Sequence, residues 1–193
     1  MAGKKAFQPE QALKKAMDLF WKQGYEGTSI EKLLQCMGLG RGSLYDTFGD
    51  KHALYLAALS RYLCENQQMF VELQQQTGPL AEILERFFQD STECLLSDPG
   101  CRGCFLVNAT VEMVPYDPEV NKLVQPALQE IEEAFYRVLI RAQVAGELSW
   151  TQDPHQLAHF LLGTFISIRV LARGKADRRV LQDIAKAAVS VFR

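Results

Sequence analysis

The segment from Thr28 to Lys51 constrains the fold more than any other part of this chain of 193 residues. Its first half carries apolar side chains at the i, i+3, i+4 and i+7 spacing that marks one face of a helix. These residues are Ile30, Leu33, Leu34 and Met37. Thr28 or Ser29 is suited to cap this helix, because a short hydroxyl side chain accepts from a free backbone N–H. The Gly38-Leu39-Gly40 break then predicts a tight turn.

A second helix is predicted beyond the turn, from about Arg41 to Phe48. Leu44 and Phe48 fall on its inward face, and hydrogen-bond donors fall on its outward face. The outward residues are Arg41, Ser43, Tyr45 and Thr47. Asp50 is predicted to cap a long third helix that begins at Lys51. Two short helices joined by a tight turn are typical of a helix-turn-helix, whose second helix enters the major groove of DNA.

The pattern predicts eight DNA-contacting residues. They are Thr28, Ser29, Arg41, Gly42, Ser43, Tyr45, Thr47 and Lys51. Arg41 and Ser43 are expected at base edges or nearby phosphates, since guanidinium and hydroxyl groups can bond either. Thr28, Tyr45 and Lys51 are expected on the DNA backbone, and Gly42 allows close backbone approach. A helical hairpin with a merely solvated polar face is the competing interpretation.

Three stretches carry a resemblance to the TetR family of bacterial transcriptional regulators. They are Phe20 to Tyr25, Thr28 to Ile30, and Gly42 to Lys51. The chain departs from the family pattern at Gly40 and Asp46, so no operator sequence is carried over. The resemblance implies an all-α fold in which an N-terminal three-helix DNA-binding head with a helix-turn-helix, residues 1–51, is fused to a larger helical body.

The body, residues 52–193, is expected to bind an effector and to form the dimer. The resemblance implies a homodimeric repressor that binds a palindromic double-stranded DNA operator. We expect its release by a small-molecule effector or by thiol modification. The last two helices, about 153–192, are its expected dimer interface. Their apolar residues lie on more than one side, which independently favours burial against more than one neighbour. Closing the monomer core alone is the alternative.

Breaker residues divide the remainder into helices, and no alternating strand pattern interrupts them. Pro126 lies within a helix predicted to start at Pro118, and proline is expected to kink or split that helix. Apolar residues make up 48% of the chain and charged residues 23%, as in ordinary globular proteins. No apolar stretch is long enough to span a bilayer and no signal peptide is discernible, so we expect a cytoplasmic protein with no membrane partner.

The charge distribution favours DNA contact at the N-terminal end. Residues 1–51 hold eight Lys and Arg against six Asp and Glu, whereas residues 52–193 hold thirteen against seventeen. Lys4, Lys5, Arg41 and Lys51 are the expected partners of phosphates. Lys4 and Lys5 are equally consistent with a solvated terminus.

Five cysteines, an odd number, argue against a disulfide framework. Cys101-Arg102-Gly103-Cys104 has CxxC spacing at a predicted helix start, where the helix dipole favours a reactive thiolate. Oxidant or electrophile sensing through Cys101 and Cys104, a soft-metal site, and inert packing all remain open. A metal site would need further ligands, for which His155 and His159 are the candidates, and none of these residues is assigned to a metal.

The effector is expected to bind among the helices after residue 52, in a cavity with apolar walls and a few polar anchors. Its candidate residues are Phe87, Cys101, Cys104, Phe105, Asn108, Tyr136 and Phe160. No catalytic residues and no cofactor are predicted, because no triad, phosphate loop or carboxylate pair is discernible. A thiol enzyme and a helical protein-interaction module that does not read DNA are the competing function classes.

Overall fold

The structure is a computed structural model that describes residues 8–193. Lys4 and Lys5, predicted as phosphate partners, lie outside the described residues. Within residues 8–193 the chain forms nine helices and no strand. The prediction of an all-α fold is confirmed.

The N-terminal head consists of α1 (Pro9–Gln23), α2 (Ile30–Met37) and α3 (Arg41–Phe48). The Ser29 hydroxyl oxygen caps α2 by accepting from the backbone N–H of Lys32 at 3.2 Å. Gly38 ends α2 with φ 71°, a left-handed conformation that glycine adopts without a Cβ penalty. The small head core is fully buried and comprises Ala16, Phe20, Leu33 and Leu44.

The body begins with α4 (Lys51–Gln75), which Asp50 caps by accepting from the N–H of Ala53 at 2.7 Å. Five helices follow. They are α5 (Leu80–Ser97), α6 (Phe105–Glu112), α7 (Pro118–Val144), α8 (Pro154–Arg173) and α9 (Arg178–Ser190). Within the body α7 packs on α4 and α8, and α9 packs on α5 and α8.

The predicted interruption at Pro126 does not split α7, which continues as one helix of 27 residues. Pro126 lies on the exposed side of that helix. Water can therefore satisfy the carbonyl of Lys122, which loses its backbone donor to the proline ring.

Aromatic side chains join the head to the body. Tyr55 on α4 packs edge to face against Phe20 of α1 at 5.1 Å and against Phe105 of α6 at 5.5 Å between ring centroids. Because Phe20, Tyr55 and Phe105 are almost fully buried, these contacts belong to one continuous core. No helix in the described part of the chain combines the length and apolar character needed to cross a membrane.

Candidate nucleic-acid interface and effector cavity

The exposed face of α3 begins with Arg41. Its guanidinium Nη2 lies 2.9 Å from a carboxylate oxygen of Glu31 on α2, and both side chains are more than half exposed, at 61% and 72%. The Glu31 carboxylate has a lowered pKa because of hydrogen bonds with its own backbone N–H and with Ser29, and to a smaller extent because of Arg41. An ion pair this exposed contributes little stability, so Arg41 can exchange Glu31 for a phosphate or a base edge.

The rest of the α3 face is polar and accessible. Tyr45 and Thr47 are exposed, and Ser43 is half-buried. A Cβ added at Gly42 would meet no atom within 4 Å, so the backbone is open to close approach from outside. Asp46 is also exposed and is the one acidic side chain of α3.

Lys51 lies at the first position of α4, beside this face. Its Nζ is 4.1 Å from the centroid of the Tyr25 ring, a cation–π contact that fixes the ammonium position. Burial raises the pKa of Tyr25, and the negative charges of Glu26, Asp50 and Asp117 raise it further, so the ring remains neutral beneath the lysine.

Thr28 must be removed from the predicted DNA contacts. It is fully buried, and its hydroxyl donates to the carbonyl of Gly24 at 2.6 Å. Its backbone N–H donates to Tyr25, which closes the turn before α2. Thr28 and Ser29 are adjacent hydroxyl residues with the same capping potential, and only the tertiary packing shows that Ser29 is the exposed cap.

The body contains a cavity of about 280 Å³ between α4, α6, α7 and α8. Buried side chains form its inner wall: Tyr62, Phe70, Cys104, Leu106, Ile131, Phe165 and Arg169. Exposed side chains surround its mouth: Gln67, Val71, Glu130, Glu133 and Arg137. At the mouth Arg137 pairs with Glu133 at 2.7 Å.

Only Cys104 of the seven predicted effector residues lines this cavity. Phe87 and Phe105 are buried core residues with aromatic neighbours. The other four lie outside the cavity. Asn108 donates to the carbonyl of Arg102, and Tyr136 stacks on His155. Phe160 is exposed on α8, and Cys101 is half-buried in the loop before α6. Aromatic residues at helical spacing therefore formed the core rather than a shared pocket wall.

The CxxC loop connects the cavity to the head. Cys104 is the N-cap residue of α6, and its Sγ accepts from the Tyr62 hydroxyl at 3.3 Å. Arg102 points the other way, because its Nη1 lies 2.7 Å from Asp18 of α1 and its guanidinium lies 4.0 Å from the Trp21 ring centroid. All five cysteines are free thiols.

The two candidate metal-binding histidines are engaged elsewhere. His155 stacks on Tyr136 at 4.1 Å, and His159 lies 3.0 Å from Glu132. Across residues 8–193 no group of three or more His, Cys, Asp or Glu side chains is arranged to hold a metal ion.

Arg169 on α8 is the one charged residue of the inner cavity wall, and it was not among the predicted effector residues. It is 6% exposed, and it donates to the Ser91 hydroxyl at 2.8 Å and to the carbonyl of Phe165 at 3.3 Å. The sequence signal was its position within the apolar run of α8, which indicates a buried arginine. A buried arginine is rare without a partner, so such a position points to a binding site.

Two family models match the chain. The N-terminal model, "Bacterial regulatory proteins, tetR family", matches residues 12–58, and "Tetracyclin repressor-like, C-terminal domain" matches residues 80–188. The chain belongs to the TetR family. The first match covers the helix-turn-helix described above, and the second covers most of the body that contains the cavity.

Full-length relatives support this membership. The chain is 33% identical over 193 residues to the uncharacterized HTH-type transcriptional regulator YezE of Bacillus subtilis (strain 168), with 100% of both chains covered. It is 30% identical over 186 residues to the HTH-type transcriptional repressor ComR of Escherichia coli (strain K12), covering 94% of this chain and 87% of ComR.

A solved TetR structure has the same architecture. It is a cysteine mutant of the TetR family transcriptional regulator CifR, complexed with 26-bp double-strand operator DNA. The TM-score is 0.87 and the identity 27%, with 99% of this chain and 100% of that chain covered. The present TetR protein is thus a DNA-binding transcriptional regulator with an N-terminal helix-turn-helix and a helical body.

Proposed function

We propose that this TetR protein is a homodimeric repressor that binds a palindromic operator through α2 and α3. The observation that supports the proposal most directly is the accessible polar face of α3, which presents Arg41, Tyr45 and Thr47 beside Lys51. Arg41 and Ser43 contact base edges or nearby phosphates, while Tyr45 and Lys51 contact the DNA backbone. Ser29, Gly42 and Thr47 complete the contact surface. Because the proposed partner is operator DNA, we propose that the regulator acts in the cytoplasm.

Dimerisation is supported by an apolar face on the last two helices. On α8 the exposed residues Phe160, Val170 and Leu171 lie on one side with Gly163. A Cβ at Gly163 would meet nothing within 4 Å, so a partner helix has room for close approach. Val180 and Val191 extend the apolar surface onto α9. Packing of α8 and α9 against a second copy would relate the two heads by a two-fold axis, as a palindromic site requires.

A ligand in the cavity can act on DNA binding through α8 and the CxxC loop. One turn beyond Arg169, the Arg173 guanidinium donates to the carbonyl of Arg102 at 2.7 Å and to that of Trp21 in α1 at 3.3 Å. Arg102 in turn contacts α1 through Asp18. A shift of α8 on ligand binding would therefore change the position of the head relative to the body. Release requires that the two positions of the head differ in their affinity for the operator.

The function is tested by operator binding of the full-length protein. Fluorescence anisotropy with DNA from the region upstream of its own gene should show specific binding that weakens as salt rises. Arg41→Ala should weaken the free energy of operator binding by about 1 to 3 kcal/mol and relax the base preference at one operator position. Arg86→Ala, which removes an exposed arginine on α5, is the matched control. Equal affinity of the Arg41 variant and the wild type would remove Arg41 from the interface.

A second candidate signal is covalent modification of Cys104. Cys104 lies in the cavity wall, whereas Cys101 does not, so the thiol is positioned to meet an electrophile that enters the cavity. Alkylation of the wild type with iodoacetamide should then weaken operator binding, and Cys104→Ser should be insensitive. Absence of any specific DNA binding would instead favour the protein-interaction module.

A further inference from the structure

The guanidinium of Arg169 is a buried positive charge without an acidic partner. Among the described residues, each ion pair involves another basic side chain, and none joins a carboxylate to Arg169. Its two well-formed hydrogen bonds go to neutral oxygens, of Ser91 and of the Phe165 backbone, and the Cys104 sulfur lies nearby as a weaker acceptor. Arginine has five N–H donors, so this arrangement leaves donors for a further acceptor.

Such a charge is costly inside a protein. Burial lowers the pKa of Arg169, although an arginine side chain still remains protonated in proteins. The guanidinium lies over the Phe165 ring, 3.1 Å from its centroid, and this cation–π contact offsets only part of the desolvation cost. An anion beside Arg169 would supply the missing interaction.

The groups nearest to Arg169 are a thiol and a phenol rather than a carboxylate. Cys104 and Tyr62 act most strongly on its charge after burial, and Tyr62 already donates its hydroxyl proton to the Cys104 sulfur. Burial raises the pKa of Tyr62, and Cys104 raises it further, so this phenol stays neutral. Tyr62 is therefore a neutral hydroxyl in the cavity wall, which can donate to a ligand by turning away from Cys104.

The cavity walls define the remainder of the ligand. Phe70, Leu106, Ile131 and Phe165 provide an apolar surface beside the buried guanidinium. The volume of about 280 Å³ lies slightly below the range of most small-molecule pockets, roughly 300 to 1,000 Å³, which favours a small ligand. The acidic residues of the mouth, Glu130 and Glu133, are exposed to solvent, so their charges are screened from the inner wall.

We propose that this cavity binds a small monocarboxylate, whose carboxylate pairs with Arg169 and whose short apolar chain packs against Phe70, Ile131 and Phe165. The inference deepens the proposed function, because it assigns the chemical class of the effector. A bidentate guanidinium–carboxylate pair satisfies the free donors of Arg169, and Tyr62 can rotate its hydroxyl toward the same anion. Occupancy then acts on α8, the helix that carries both Arg169 and Arg173.

The test compares matched ligands on the full-length wild-type protein. Isothermal titration calorimetry is performed with straight-chain monocarboxylates from acetate to hexanoate, each against its primary amide of the same length. The amide is nearly isosteric but lacks the charge. At least one carboxylate should bind at least about tenfold more tightly than its amide, since a hydrogen bond to a charged group outweighs a neutral one. Equal binding of the two, or no binding across the series, would overturn the proposal.

The variant Arg169→Gln should lower carboxylate affinity at least tenfold and abolish the preference over the amide. Arg86→Gln removes an equal charge outside this cavity and should retain both. If Arg169→Gln does not fold, the matched ligand pair on the wild type still decides the question. Unchanged carboxylate affinity in a folded Arg169→Gln would refute the assignment.

Operator binding without ligand, measured separately, tests the repressor proposal by itself. Loss of specific DNA binding would refute the repressor and leave the calorimetric result standing. Carboxylate binding that leaves operator affinity unchanged at saturation would overturn the assignment of this ligand as effector.

Discussion

Replacing Arg102 with methionine tests the connection between body and head. The side chain has three interactions: Nη1 with Asp18 at 2.7 Å, Nε with Asp98 at 3.2 Å, and the guanidinium with the Trp21 ring at 4.0 Å. Asp18 is 47% exposed, so solvent screening limits its pair to about 0.5 kcal/mol. The more buried Asp98 contributes about 1 kcal/mol, and the cation–π contact about 0.5 kcal/mol.

Arg102→Met should therefore lower the free energy of unfolding by about 2 kcal/mol, because methionine keeps the aliphatic length but none of these contacts. For a chain of this size that loss corresponds to a decrease of roughly 4 to 8 °C in Tm. Calorimetry must be performed at one fixed protein concentration, since the proposed dimerisation would add to apparent stability. Arg61→Met is the control, because Arg61 also links α4 to the head, through the carbonyl of Glu10 at 3.1 Å, but has no contact with the CxxC loop.

The same variant should uncouple the two halves of the protein. A carboxylate should still bind to Arg102→Met, whereas the ligand-induced loss of operator affinity should decrease. A Tm within 1 °C of the wild type, together with normal ligand-induced release, would refute the argument that Arg102 connects cavity and head.

Three further predictions concern the interface, acid stability and assembly. Gly42→Ala should stabilise the protein by about 0.5 to 1 kcal/mol, because alanine favours α3, yet weaken operator binding by obstructing close approach; urea unfolding and anisotropy measure the two effects. Burial alone would raise the pKa of Asp117, but the backbone N–H of Val120 and the ring of His52 hold that pKa below its ordinary value. The stabilisation by Asp117 is therefore present above the ordinary aspartate pKa of about 3.9. It is lost as pH falls through the lower pKa of the folded state. In acid titrations, the free energy of unfolding of Asp117→Asn should therefore decrease less steeply below about pH 4 than that of the wild type. Val170→Glu should convert the dimer to monomer in analytical ultracentrifugation, and a dimer of unchanged affinity would contradict the assigned interface.

The helix-turn-helix was predictable because its signals are local. Glycine breaks and capping side chains fix α2 and α3 within a few residues, and the structure places their bounds at Ile30–Met37 and Arg41–Phe48. Thr28 was mistaken for a DNA contact because sequence alone does not show which of two adjacent hydroxyls is turned inward. Pro126 was expected to kink or split α7, yet its exposed position let the helix continue.

The cavity in the body was not predictable in the same way, because four separate helices form its wall. Phe87 and Phe105 have the residue type expected in a binding pocket, but they pack against other aromatic rings and fill the core. Arg169 and Tyr62 come into proximity only because α8 packs against α6 and contacts α4 through Phe165 and Phe70. The apolar run of α8 placed Arg169 among buried residues, but the groups that it faces there depend on these long-range contacts.

The position of α8 explains how ligand binding, DNA binding and dimerisation can be linked. Its inner side carries Arg169 in the cavity, its end carries Arg173 in contact with Trp21, and its outer side presents Phe160 and Val170. The three sites lie on one helix of 20 residues, so a shift of that helix as a unit would act on all of them. A ligand that draws Arg169 toward its carboxylate would therefore change both the contact of Arg173 with α1 and the proposed dimer contact. A coupling free energy of about 1 to 3 kcal/mol is enough for a 5- to 150-fold change in operator affinity.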